Sequence, residues 1–131
     1  MHKRIYGVKL SRNTNTRKAL FRSLIRSLVL YGKIETTKAK AKAIQGDVDK
    51  LFKLVAKDDL AARRLALSKL GNDNVTVEKL FKLKDFTKNR KSGFTRIVIL
   101  PYRKGDNASI ARLEFVDSAA PEEAKKKVEK K

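Results

Sequence analysis

The sequence predicts an α+β fold: a helix, a short strand, three helices and a closing pair of strands, with a small sheet packed against the helices. Three observations carry it. Leu20, Leu24 and Leu28, with Phe21, Ile25 and Val29, form two i, i+4 rows that make one broad apolar helical face. K-I-E-T-T (Lys33 to Thr37) is short and β-branched, between two helical patterns. Near the end, I-A-R-L-E-F-V (Ile110 to Val116) alternates, with Ala111, Leu113 and Phe115 inward and Arg112 and Glu114 outward.

Residues 1–13 read as a basic arm, with Lys3, Arg4, Lys9 and Arg12 around Gly7. The first helix runs from Thr14 to Tyr31, capped by Asn13 or Thr14 and closed by Gly32. Lys18, Arg22 and Arg26 form a third row on roughly the opposite side from the apolar face. No acidic residue occurs between Met1 and Ile34, so this row reads as a surface for phosphates and not as an ordinary solvated face.

Thr36 or Thr37 caps a second helix reaching about Lys57, with Ile44, Val48, Leu51, Phe52 and Val55 on its apolar side. Lys38, Lys40 and Lys42 crowd its first turns, where cations oppose the helix dipole and a bound phosphate would relieve them. Gly46 costs ~1 kcal/mol relative to alanine in a helix and marks a place for a kink or break. Asp58 or Asp59 caps a third helix that buries Leu60, Leu67 and Leu70, ends at Gly71, and carries Arg63 and Arg64. A fourth begins near Asp73 or Asn74 and includes Val77, Leu80 and Phe81. Thr87 to Gly93 is a loop with Arg90 and Lys91, and Thr95 to Leu100 a strand that can be buried on both faces. The turn Tyr102 to Ala108, with Arg103 and Lys104, joins it to the last strand as an antiparallel hairpin. The organisation is therefore an arm (1–13), one domain (14–117) and a low-complexity charged tail (118–131) expected to be disordered.

Charge sets the function class. With Lys+Arg 33 and Asp+Glu 14 the net charge is +19, and the pI is ≈ 10.4. A chain so charged repels itself and calls for a polyanionic partner, nucleic acid before an anionic membrane. No apolar run reaches the ~20 residues that span a bilayer, and no secretory or transit pattern opens the chain, so an intracellular, soluble protein is expected.

Catalysis fails on inventory. There is no cysteine, and the single histidine, His2, sits in the terminal arm, so no Ser-His or Cys-His nucleophile can be assembled. Asp47 and Asp49 are too few for a metal, Asp58 and Asp59 suit a helix cap, and Glu122 and Glu123 lie in the tail. Lys91-Ser92 follows no glycine string, so no phosphate-binding loop of the nucleotide-hydrolase kind exists, and no cofactor or small-molecule substrate is expected. Five cationic elements spread along a small chain suit an extended backbone better than one small ligand. Tyr6, Phe94 and Tyr102 can each stack on an unpaired base, which favours irregular RNA, although each alone is more often a core or hinge residue. Phe94 more readily closes the core beneath the hairpin. A basic architectural DNA-binding protein is the alternative, but no helix-turn-helix or ribbon arm stands out.

The stretches G-V-K-L-S-R (Gly7 to Arg12), T-R-K-A-L-F-R-S-L (Thr16 to Leu24), K-I-E-T-T-K-A-K-A-K (Lys33 to Lys42), L-A-A-R-R-L-A-L-S-K-L (Leu60 to Leu70) and S-G-F-T-R-I (Ser92 to Ile97), followed by R-K-G-D (Arg103 to Asp106), resemble in order and spacing the bacterial large-subunit ribosomal protein seventeen family. The departures are M-H-K-R at the start, Thr16 where a histidine is usual, and Gln45-Gly46 in place of a frequent Arg-Pro. The resemblance implies a two-layer α+β fold and a cytoplasmic place on the large ribosomal subunit near the nascent-chain exit. Its implied partners are 23S-type ribosomal RNA and neighbouring large-subunit proteins, with no catalytic residue, cofactor, metal or membrane. It carries Lys9, Arg12, Arg17, Lys18, Arg22, Lys38, Lys40, Arg63, Arg64, Arg96 and Arg103 over as RNA-facing; the residues themselves add Lys3, Arg4, Arg90 and Lys91.

Overall fold

A computed structural model describes residues 8–116. Lys3 and Arg4 of the arm, Tyr6, and the tail at 118–131 lie outside the described residues. The elements are α1 (Thr14–Tyr31), β1 (Lys33–Thr37), α2 (Lys38–Lys57), α3 (Leu60–Leu70), α4 (Asn74–Lys82), α5 (Asp85–Asn89), β2 (Thr95–Ile99) and β3 (Ile110–Phe115).

Side-chain caps set three of the helix starts. Asn13 Oδ1 accepts from the Thr16 N–H at 2.9 Å, Asp59 from Ala62, and Asp73 from Thr76 at 3.2 Å. Thr37 makes no such bond; the Lys38 N–H instead donates to the Ser109 carbonyl at 3.0 Å, tying the start of α2 to the approach to β3. Gly32 and Gly71 end α1 and α3 at φ 75° and 72°, the left-handed region that glycine enters without steric cost.

Both neighbours of β3 pair with it antiparallel, in the order β1-β3-β2. Lys33, Glu114 and Arg96 stand side by side across the sheet, as do Ile34, Leu113 and Ile97 one position on. Ala111, Leu113 and Phe115 face inward as expected, onto Ile44, Val48, Leu51 and Phe52 of α2. α2 touches every other helix and strand and is the centre of a two-layer fold. Phe94 belongs to this core: it is 4% exposed and stacks on Phe52 at 4.6 Å between ring centroids, while Phe115 meets Phe52 edge-on at 5.6 Å.

Several expectations are corrected. The Thr95–Ile99 strand is not buried on both faces: Val98 and Ile99 are exposed, because helices cover only one side of the sheet and β2 lies at its edge. On α3, Leu70 is buried and Leu67 packs against the core as expected, but Ala62 and Ala66 complete the buried side and Leu60 is 65% exposed, since α3 approaches α2 through small side chains. The first part of the expected Thr87–Gly93 loop is helical, as α5. α2 runs unbroken through Gly46.

Candidate nucleic-acid interface

The arm reaches α1 through a tight reversal. Leu10 and Ser11 have φ of 53° and 51°, and the Arg12 N–H donates to the Lys9 carbonyl at 3.2 Å. Two successive left-handed non-glycine residues store strain. The reversal folds the guanidinium of Arg12 onto the Leu10 carbonyl at 2.8 Å, and that of Arg17 onto the Arg12 carbonyl at 3.2 Å. Lys9, Arg12 and Arg17 are thereby gathered at the start of α1 with no carboxylate beside them among the described residues.

The Lys18, Arg22, Arg26 row divides. Arg26 pairs with Asp73 at 3.0 Å. Arg22 Nε donates to the Lys69 carbonyl at 3.1 Å, and its side chain lies over Gly71. It therefore meets one of the carbonyls left open at the end of α3. Both arginines link α1 to the α3–α4 junction, so the row is not the wholly outward phosphate surface the sequence suggests. Lys18 has no partner among the described residues.

The remaining candidates sort by whether an acid holds them. Lys38, at the start of α2, is exposed and Lys40 half-buried, both without acidic partners among the described residues. Arg64 is likewise exposed, whereas its neighbour Arg63 pairs with Asp58 at 3.2 Å and stands 4.5 Å over the Phe81 ring. Lys84 and Arg63, in that order of effect, hold the Asp58 carboxyl below its usual range. On the outer face of the sheet Arg96 meets Glu114 at 2.6 Å and Arg112 meets Glu35 at 2.9 Å. In the hairpin turn, Arg103 Nε donates to Asp106 at 3.0 Å. That bond, helped by the Ala108 N–H, brings the Asp106 carboxyl down to about 2.

The glycine loop is anchored from within. The Gly93 and Phe94 N–H groups both donate to the Asp49 carboxylate, at 3.3 and 3.2 Å, so the two amides best placed to cradle a phosphate are already occupied. Gly93, at φ 71°, makes the reversal that aims them at α2. Lys91 is exposed; Arg90 is half-buried and already engaged.

α1 and α2 lie side by side across a groove that the end of α3 closes. One end is lined by Val8, Arg17, Phe21, Lys42, Gly46 and Lys50, the other by Lys18, Arg22, Ile25, Leu51 and Lys69, and both share Phe21 and Asp47. Lys50 and Lys69 escape the sequence reading, although Lys42, Gly46 and Lys50 recur every four residues on one face of α2, a signal available in the sequence. Among the described residues no three His, Cys, Asp or Glu side chains gather to hold a metal, and no helix is long and apolar enough to cross a membrane.

Such a structure defines a class: a small, basic α+β protein in which Arg96 and Arg112 on the sheet face are paired with Glu114 and Glu35, while Lys9, Arg12, Arg17, Lys18, Lys38, Lys40 and Lys42 around the starts of α1 and α2 have no acidic partner among the described residues. The chain belongs to the ribosomal protein L17 family, whose sequence profile matches residues 20–116. It is 44% identical over 132 residues to the large ribosomal subunit protein bL17 of Thermodesulfovibrio yellowstonii, covering 100% of this chain and 98% of that protein. The protein of the same name from a Hydrogenobaculum species is 46% identical over 119 residues, covering 89% of this chain and 100% of its own length. That of Hyphomonas neptunium is 46% identical over 118 residues, covering 89% and 84%.

Proposed function

We propose that this protein is a structural constituent of the large ribosomal subunit in the cytoplasm. It binds 23S-type ribosomal RNA beside neighbouring subunit proteins and near the nascent-chain exit, with no catalytic role. The relatives' shared name supports the subunit, and the resemblance supports the exit region. The observation that carries RNA binding is the asymmetry of ion pairing. Arg96 and Arg112 on the sheet face, and Arg103 in the hairpin turn, are held by Glu114, Glu35 and Asp106. Lys9, Arg12, Arg17, Lys18, Lys38, Lys40 and Lys42 have no such partner among the described residues. Cations left without acids repel one another in the free protein, and phosphates relieve that repulsion while releasing counterions.

Lys3 and Arg4, outside the described residues, are proposed as further contacts. Arg22, Arg63, Arg64, Arg90, Lys91, Arg96 and Arg103 are proposed as secondary contacts, the paired arginines keeping further N–H donors for phosphate oxygens. Tagged protein expressed in bacterial cells and fractionated on a sucrose gradient tests the reading. Sedimentation with the large subunit, and cross-linking to its RNA from α1 and α2, is expected. Co-fractionation with chromosomal DNA would favour the architectural alternative.

A further inference from the structure

We propose that the groove between α1 and α2 takes one unstacked nucleotide of the bound RNA, its base against the Phe21 ring and its flanking phosphates on the groove rims. The proposal rests on the rRNA-binding reading and specifies how this site would serve it. The groove consists of two hollows of ≈ 650 and ≈ 310 Å³ that share Phe21 and Asp47, within the size range of about 300–1,000 Å³ of sites that enclose small organic ligands. A single nucleotide fits such a space and a duplex does not.

The electrostatics select the occupant. Arg17, Lys42 and Lys50 line one hollow, and Lys18, Arg22 and Lys69 the other; Asp47, paired with Lys50 at 3.5 Å, is the one acid of the lining among the described residues. The remaining positive charge favours an anionic occupant. The half-buried Phe21 ring, common to both hollows, offers a flat apolar surface within a rim of positive charge. That is the combination on which unpaired bases stack. Gly46 adds an independent sign. A Cβ built there meets nothing within 4 Å among the described residues, so none of them requires glycine. Glycine disfavours a helix interior, and here it leaves the groove wall open at the cost of local preference.

Gly46 also makes the test clean. Gly46→Leu fills the groove without removing a cation and replaces glycine with a better helix former. Binding to protein-free 23S-type RNA is measured for wild type, Gly46→Leu and Phe21→Leu across a salt series, with thermal unfolding of each free protein. Gly46→Leu is expected to melt no lower than wild type and to bind roughly tenfold or more weakly, the worth of one base–aromatic stack, with its salt slope unchanged. Phe21→Leu, which keeps the floor apolar, is expected to lose about 5- to 150-fold. Wild-type affinity in Gly46→Leu, alongside weakened binding in Lys18→Ala/Lys42→Ala, would overturn the groove proposal and leave the rRNA reading standing. Loss of Gly46→Leu from assembled subunits despite wild-type affinity for naked RNA would assign the groove to an acidic protein segment and equally overturn it. Failure of the wild type itself to bind would overturn both.

Discussion

The Asp49 carboxylate accepts from the Phe94 N–H at 3.2 Å across a sequence separation of 45 residues, while its second oxygen takes the Gly93 N–H at 3.3 Å. One side chain of α2 thus holds the loop that leads into β2. Asp49→Ala leaves both amides without that acceptor and is expected to lower stability by about 1–3 kcal/mol. Asp49→Asn, which keeps one carbonyl oxygen, should fall between the two. Urea unfolding of the three proteins checks the order.

Phe94→Ala is expected to cost ~3–5 kcal/mol of stability, because it empties a site stacked on Phe52 in the core. Where the variant remains folded its affinity for RNA should be unchanged, since the buried ring has no face left for a base. Chemical denaturation and RNA binding, measured together, separate the two roles.

Asp73 both caps α4 through Thr76 and pairs with Arg26. Its carboxyl lies below the ordinary range, the Thr76 hydroxyl first and the Arg26 charge later among the causes. Asp73→Asn keeps a capping oxygen and should lose little, because an ion pair with an exposed partner contributes ~0–1 kcal/mol. Asp73→Ala removes the cap and should lose about 0.5–2 kcal/mol. Equal losses would assign the stabilisation to the ion pair.

The Arg103–Asp106 link gives a pH prediction. The Asp106 carboxyl is lowered to about 2 in the folded protein. A depressed carboxylate stabilises the fold above its unfolded value, near 3.9, and that contribution disappears as pH falls through the folded value. The link should therefore weaken between about pH 4 and 2 and be unaffected at neutral pH. An NMR titration of the Asp106 side chain should place it near 2, and Arg103→Ala should return it toward 3.9.

What the sequence made legible follows from how local the information is. Asn13, Asp59, Asp73, Gly32 and Gly71 punctuate the helices within a turn of where they act, so helix ends could be read residue by residue. The burial of β2 could not, because Ile97, Val98 and Ile99 look alike until the sheet is known to be covered on one side only. On α3 the pattern finds Leu67 and Leu70 but places Leu60 on the wrong side, because close helix approach selects Ala62 and Ala66 over the larger Leu60. The cationic composition pointed to a polyanion, but the partners of Arg22 and Arg26 come from the α3–α4 region and carry no signal near α1. Asp47 and Asp49 are too few for a metal, and the role Asp49 does have, anchoring the glycine loop, leaves no local signal because its partners Gly93 and Phe94 lie 44 and 45 residues along the chain.

The central claim, that ribosomal RNA is bound chiefly by the cations around the starts of α1 and α2 that lack acidic partners among the described residues, with the ion-paired sheet face secondary, is tested most directly by the salt dependence of binding. Affinity for protein-free 23S-type RNA should be measured between roughly 50 and 200 mM salt for wild type, Lys18→Ala/Lys42→Ala and Lys33→Ala/Arg112→Ala. If 6–10 phosphates are neutralised, wild-type affinity should fall by ~10³–10⁵ over that range. The Lys18/Lys42 variant should bind more weakly at low salt, with a slope lower by about 1 for each lysine removed, and the sheet-face variant should match wild type. A flat wild-type response, or an equal loss of slope in the sheet-face variant, would contradict the account.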